Sequence, residues 1–316
     1  MSEQVSLRQL VPDEFHGQRL DQVAANLFDE YSREKLKQWI SEGALRLDDN
    51  VVKPKTRVMA GQALALETTI EPAGDWEAED IPLDIVYEDD HLLVINKPAG
   101  LVVHPAAGNP DGTLLNALLF HLPEQIQLPR AGIVHRLDKD TSGLMVVAKS
   151  PLAQRSLIEQ LKEHTVAREY DAVVTGTPIA GGRIDAPIGR HPKDRKRQAV
   201  VPGGKAAVTH FRVLERFRAH TLVRCQLETG RTHQIRVHMA HKKLPLVGDP
   251  VYGGRLRYPP GPSEALKIEL SEFPRQALHA HHLKLVHPET GKTVSFSAPL
   301  PADMQMLVSA LRDDAQ

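Results

Sequence analysis

Gly132-Ile-Val-His135-Arg136-Leu-Asp138-Lys139-Asp140-Thr-Ser142-Gly143-Leu144-Met-Val-Val-Ala-Lys149 reads as an apolar strand end, a polar loop, and a second apolar strand from Leu144 to Lys149. A loop displayed between two strands is a common place for functional groups. Asp138 stands among His135, Arg136 and Lys139, and neighbouring cations favour the charged form of a carboxylate, as a nucleophile or base requires. The same residues also make an ordinary hydrogen-bonded turn of mixed charge, and the loop by itself leaves both readings open.

Working outward, His91-Leu-Leu-Val-Ile-Asn96 is a strand stopped by the turn Lys97-Pro98-Ala99-Gly100. Further strands are predicted at 169–175, 207–217, 221–227 and 293–297. Ser150 followed by Pro151 is a helix cap with proline in the first turn, opening a helix to about residue 163. Two more helices are predicted over 233–241 and 302–311. Strands outnumber helices without alternating with them, which points to an α+β domain around a mixed sheet, spanning 83–316, and not to a doubly wound fold.

Ahead of it lies a smaller module over 17–70. Leu20, Val23, Ala24, Leu27 and Phe28 follow helical spacing. Ser32 can cap a second helix from Arg33 to Ser41 that turns Leu36, Trp39 and Ile40 inward. Leu45–Leu47, a turn at Asp48–Asn50 and Val51–Lys53 read as a hairpin, with one more strand from Ala63 to Glu67. Residues 1–16 are expected to be a flexible terminus. The segment 71–82 is acidic and aperiodic, contains Pro72 and Gly74, and reads as a linker.

The chain has 316 residues, 41% of them hydrophobic, so a substantial core is available. No apolar run approaches the roughly 20 residues of a membrane span, and the opening Met-Ser-Glu-Gln-Val carries no leader pattern, so a cytoplasmic protein is expected. The single cysteine, Cys225, excludes an intrachain disulfide and a thiolate zinc cluster. A formal net charge of −1 gives no overall cationic character. Arg190-His-Pro-Lys-Asp-Arg195-Lys-Arg197 nevertheless places five Lys or Arg against one Asp, which permits a basic face for RNA. Val201-Pro-Gly-Gly-Lys-Ala lacks the spacing of a phosphate-binding P-loop, so no nucleotide cofactor is expected. His233, His238 and His241, with His279, His281 and His282, raise a zinc hydrolase as a rival, but no His-Glu-x-x-His pattern is present. A second rival is an RNA-binding protein without chemistry.

His-Arg-Leu-Asp followed by Thr-Ser-Gly-Leu resembles the signature of the large-subunit type of RNA pseudouridine synthase. Asn96-Lys-Pro-Ala-Gly100, Val103-His-Pro105, Arg168-Glu-Tyr170, Gly230-Arg-Thr-His-Gln-Ile-Arg236 and Pro245-Leu-Val-Gly-Asp-Pro-Val-Tyr-Gly-Gly254 follow in that family's order. The run from Arg19 through Ser32, Arg33 and Gly43 to the Gly61 turn resembles the S4 RNA-binding domain. The resemblance implies a mainly antiparallel catalytic sheet behind an S4-like module. It implies Asp138, not Asp140, as the catalytic carboxylate, Tyr170 against the target uracil and active in proton transfer at C5, and Arg231 paired with Asp138. It also implies RNA contacts at Ser32, Arg33 and Lys37, and Arg136 in the space left by a flipped-out base. Arg195 and Arg197 of the basic run join these as expected RNA contacts. No cofactor and no metal are expected, and the partner implied is large-subunit (23S) ribosomal RNA or an assembling large subunit, met by a monomer.

The chemistry suits one carboxylate. Making pseudouridine breaks C1′–N1, turns the uracil within the pocket and joins C5 to C1′. A glycosidase needs a second carboxylic acid for a poor leaving group, whereas uracil leaves as a stabilised anion. Asp138 can attack C1′ or remove the 2′-proton, and the residues do not choose between these routes.

Overall fold

A computed structural model describes residues 3–28, 31, 33–70, 76–106, 108–194 and 197–315. The chain divides into two compact units, 1–76 with 126–130, and 77–125 with 131–316.

The first unit contains β1 (Glu3–Leu10), a 3-10 turn at Asp13–Phe15, α1 (Leu20–Leu27), α2 (Arg33–Glu42), β2 (Leu45–Leu47) and β3 (Ala63–Ile70). Its sheet runs in the order β1-β3-β2, with antiparallel pairing throughout. The helical spacing read from the sequence is the buried face: Leu20, Val23 and Ala24 of α1 meet Leu36, Trp39 and Ile40 of α2, over Leu45, Leu47, Leu64 and Leu66. Asp21, in the first turn of α1, is buried. Burial alone would raise its pKa, but Arg19 at 2.9 Å and Arg33 at 2.8 Å hold it below the usual carboxylate range.

Two expectations for this unit are corrected. Residues 3–10 are a strand and not a flexible terminus, paired with β3 from Glu3↔Ile70 to Leu10↔Ala63. Val5 turns into the core while Leu7 and Leu10 stay exposed, so the apolar pattern is too thin to announce a strand that backbone pairing creates. The expected hairpin partner of β2 at 51–53 is not a strand; β2 pairs with β3. Asp48 explains the choice, because its carboxylate accepts from the Ala63 amide at 2.8 Å and from Gln62 Nε2 at 2.7 Å, tying the turn to β3.

The second unit comprises β4 (Ile85–Glu88), β5 (Leu92–Lys97), α3 (Leu114–His121), β6 (Ser142–Ala148), α4 (Pro151–Lys162), β7 (Ala167–Thr175), β8 (Gly182–Asp185), β9 (Ile188–Arg190), β10 (Gln198–Val200), β11 (Val208–Arg216), β12 (His220–Leu227), α5 (Gln234–His241), α6 (Glu264–Glu272), β13 (Leu278–Val286), β14 (Thr293–Ser297) and α7 (Ala302–Asp313). Among the described residues, nine strands form one sheet in the order β4-β5-β6-β13-β7-β12-β11-β8, with β14 also on β13, while β9 and β10 form a separate ribbon. Only β6 and β13 run parallel, so the sheet is mixed and mainly antiparallel. The fold is α+β. Leu144 and Val146 pack with Ala153 and Leu157 of α4. Val173 of β7 packs with Leu266 and Leu270 of α6 and Met304 and Leu307 of α7. Strand alternation therefore turns Glu169, Asp171 and Val173 to that face of β7, and Arg168 and Tyr170 to the other.

The expected strand before the loop is an extended segment with one bridge, Ile133↔Val147, and regular pairing starts at Ser142. At Gly143, with φ +115°, a Cβ would lie 2.3 Å from the Ala280 carbonyl oxygen; only glycine lets β6 approach β13 there. Of the segment read as a linker, 71–75 lie outside the described residues. Glu77 and Glu79 belong with the second unit, since Asn116 Nδ2 donates to the Glu77 carbonyl at 2.8 Å and Glu79 Oε1 accepts from the Gly112 amide at 2.8 Å. Among the described residues no helix is long and apolar enough to cross a membrane.

His279 on β13 is fixed from both sides. Its Nε2 faces the Ala298 carbonyl at 3.3 Å, so Nε2 carries the hydrogen and Nδ1 accepts from Ser142 Oγ at 3.0 Å. Burial pushes its pKa down from 6.5 to about 4. Below pH 6.5 the unfolded chain takes up a proton that the folded ring refuses, so this contribution to stability is lost as pH falls from 6.5 to 4. The melting temperature is expected to fall across that window, and to fall less steeply in His279→Gln; parallel curves for the two proteins would remove His279 as a cause.

Candidate active site

The loop carrying Asp138 is held by its own backbone. Lys97 is buried and donates its ammonium to the carbonyls of Pro98 (2.8 Å), Leu101 (3.0 Å) and Lys139 (2.9 Å), while the Gly100 amide also reaches the Lys139 carbonyl at 3.0 Å. Arg275 donates to the Asp140 carbonyl at 3.1 Å, and Gln276 to Thr141 Oγ1 at 3.1 Å. The His135 ring is turned inward and accepts from the Val146 amide at 3.0 Å; burial, helped by Arg168, pushes its pKa down to about 3, so the ring stays neutral. Burial likewise lowers Lys97 to about 7, against the pull of Asp140 and Asp138. Three carbonyl acceptors match the three hydrogens of an ammonium and favour the charged form against that burial.

Asp138 meets Arg236, from the first turn of α5. Arg236 Nη1 donates to Asp138 Oδ2 at 3.0 Å, while Nε and Nη2 form a fork on Asp249, at 2.7 and 3.0 Å. Asp249 Oδ1 also accepts from the amides of Val251 and Tyr252, both at 2.9 Å. Burial opposes the charge on Asp249, but Arg236 and these amides hold it below the usual carboxylate range. Removing one partner from such a buried pair costs about 3–5 kcal/mol.

Around this pair stand three rings and two further cations. His233 Nε2 lies 3.9 Å from Asp138 Oδ1, and its Nδ1 meets the Tyr252 hydroxyl at 2.9 Å. His233 sits at φ +56°, a left-handed backbone that is costly for a non-glycine residue and that starts α5 in the phase needed to aim Arg236 inward. Burial lowers the His233 pKa, with Asp138 opposing, and its ring is neutral at neutral pH. Tyr252 accepts from the Gln198 amide at 2.9 Å, with the guanidiniums of Arg236 and Arg197 5.1 and 5.4 Å from its ring centre. Tyr170 is buried; burial and the nearby Asp138 raise its phenol pKa against the pull of Arg168. Arg168, on the same face of β7, is also buried.

The other sequence-singled residues fall as follows. Arg231 is exposed, and its Nε donates to the Ala206 carbonyl at 3.0 Å. It forms no pair with Asp138 among the described residues; the expected guanidinium is that of Arg236. Arg136 is exposed beside the site, close enough to lower the His233 pKa. In the first unit Arg33 is exposed and paired with Asp21, and Lys37 is exposed. Ser32 and Arg195 lie outside the described residues. Cys225 is buried on β12, and burial pushes its thiol up to about 12. Several of the histidines weighed as metal ligands have other partners. His238 meets Thr209 Oγ1 and the Ala186 carbonyl, both at 2.9 Å, and His281 and His282 meet the Ala298 carbonyl and Ser297 Oγ. Among the described residues no three His, Cys, Asp or Glu converge to hold a metal.

The family model described as RNA pseudouridylate synthase matches residues 91–241, and the S4 domain model matches 18–64. A curated Pseudomonas aeruginosa protein, ribosomal large subunit pseudouridine synthase D, is 58% identical over 316 residues, covering 100% of this chain and 99% of the relative. The chain belongs to the RNA pseudouridylate synthase family. A protein of the same name from Escherichia coli K12 is 54% identical to this synthase, over 99% of this chain and 97% of its own length. Among solved structures, human RNA pseudouridylate synthase domain containing 4 superposes with a TM-score of 0.57 at 27% identity, covering 72% of this chain and 92% of the other.

From the sequence, Arg236, Asp249 and Tyr252 were quoted only within motifs and given no role, and His233 was weighed only as a metal ligand. The synthase's Gly230–Arg236 motif contains two arginines, and helix phase decides which one turns inward. For the synthase, Arg236→Gln is expected to lower the single-turnover rate by about 10²- to 10³-fold, and Arg231→Gln to leave it within about threefold. Equal losses in these two variants would contradict the pairing of Asp138 with Arg236.

Proposed function

We propose that this synthase isomerises uridines in large-subunit (23S) ribosomal RNA, with Asp138 as the catalytic carboxylate, acting as a cytoplasmic monomer and without a cofactor. The observation that supports the reading is that Asp138 accepts from Arg236, far away in sequence, at 3.0 Å and acts electrostatically on the buried Tyr170 phenol. The relatives' names support the RNA class.

The uridine is extruded from its stack, the step every base-modifying enzyme that works on a paired base must take. Arg136 fills the vacated space, and Tyr170 lies against the uracil ring. Arg236 fixes the direction of the Asp138 carboxylate, leaving Oδ1 toward the sugar. The carboxylate either adds to C1′ or takes the 2′-proton; both routes break C1′–N1 and send that electron pair onto uracil. The ring turns and C5 bonds to C1′ as the carboxylate is expelled from C1′ or gives the proton back to C2′; the C5 proton then leaves to solvent and N1 takes one up. Arg33 and Lys37, with Ser32 and Arg195, are assigned to RNA phosphates, as is Arg197 beside the ribbon β9–β10; such contacts make binding weaken as salt rises.

Large-subunit RNA carrying tritium at uracil C5 tests the proposal. The unaltered chain is expected to release tritium with a chelator present, and Asp138→Ala to release none above background. Equal release by both would remove Asp138 from the mechanism, and no release by either would remove the activity.

A further inference from the structure

Arg168 is a charged side chain only 8% exposed, and its Nε is buried without a hydrogen-bond acceptor. Among the described residues it forms neither a hydrogen bond nor an ion pair. A buried cation without an anion costs free energy, and its presence in a folded protein calls for an occupant that is negative at some stage. Asp138, which acts with it on the Tyr170 phenol, and Glu169, its neighbour in the chain, are otherwise engaged. Asp138 is held by Arg236, and Glu169 turns to the opposite face of β7, 3.8 Å from Arg224. The guanidinium is flanked by the catalytic segments: it acts electrostatically on His135 and on the Tyr170 phenol, and a Cβ on Gly230 would lie 2.8 Å from its Nη1. Glycine at 230 thus makes room for that end of the guanidinium.

Building on the function proposed above, we infer that Arg168 is an anion subsite for the uracil as it departs from the ribose. RNA phosphates lie along the outside of the strand, where exposed cations such as Arg33 and Lys37 meet them. A group that reaches Arg168, on the Tyr170 face of β7, has entered the pocket, and the part of the substrate that enters is the flipped base. That base is neutral while bonded to C1′. When C1′–N1 breaks, the electron pair is shared over N1, O2 and O4, and in-plane guanidinium donors bind O2 or O4 more strongly than before. An interaction that strengthens only as charge develops lowers the barrier without tightening ground-state binding. As C5 bonds to C1′ the base returns to neutrality, losing the C5 proton and gaining one at N1, so nothing is consumed.

The test compares Arg168→Met, Arg168→Gln and Arg168→Lys with the unaltered chain, measuring single-turnover tritium release from C5-labelled large-subunit RNA and RNA affinity at two salt concentrations. The Met and Gln variants are expected to lose about 10²- to 10³-fold in rate, with affinity within about threefold, an unchanged salt dependence and an unchanged melting temperature or better. Arg168→Lys is expected to recover at least about tenfold over Arg168→Met. If Met does not fold, Gln carries the same comparison, because it keeps a donor without the charge. A rate within about threefold of the unaltered chain in the neutral variants overturns the inference. So does a loss confined to affinity with the salt slope reduced by about one, the signature of a phosphate contact. No tritium release by the unaltered chain would instead overturn the proposed function.

Discussion

Arg236 sits between two carboxylates, forked on Asp249 and single-bonded to Asp138. The fork needs Asp249 deprotonated and fixed, which its turn amides provide, and the remaining nitrogen is then free in one direction only. Asp138 is thereby aimed by a group that is itself immobilised. The cost of burying Arg236 is offset by two anions, which keep its pKa above the ordinary arginine value although burial alone would lower it. A lysine in its place has no planar fork and cannot serve both acids in this way.

The rest of the catalytic unit supplies the two ends of that contact. On the Asp138 side, Lys97, Arg275 and Gln276 hold the backbone and Thr141 of a loop with little regular structure of its own. On the Arg236 side, Gln234 is the anchor: its amide donates to the Val208 carbonyl and accepts from the Arg231 backbone and Thr229, so the turn ahead of α5 is pinned to β11. His233 takes the left-handed conformation between them. This one left-handed residue therefore stands beside the Asp138 carboxylate, held there by its surrounding contacts.

Much of this was legible in the sequence, and what was not has physical reasons. Ser150-Pro151 announced α4, and the Ser150 hydroxyl accepts from the Ala153 amide. The apolar spacing of α1 and α2 became their buried faces. The placement of Asp138 in a loop and of Tyr170 on a strand was legible because short motifs fix them there. The Asp138 partner was not, because Arg231 and Arg236 are five residues apart and only the starting point of α5 decides between them. β13 was missed because Leu278-His-Ala-His-His-Leu breaks the alternation of a half-buried strand; His279 is buried through polar partners that lie far away in sequence. β1 was missed for the opposite reason, since its pairing is complete and its apolar side sparse.

The central claim is that Asp138 is aimed through Arg236 by Asp249, and a double-mutant cycle on the single-turnover rate tests it most directly. Arg236→Lys and Asp249→Asn are each expected to slow the reaction, and the double variant to be no slower than Arg236→Lys alone, because Asp249 acts only through the arginine. Losses that simply multiply in the double variant would show that the two residues act independently and would contradict the account.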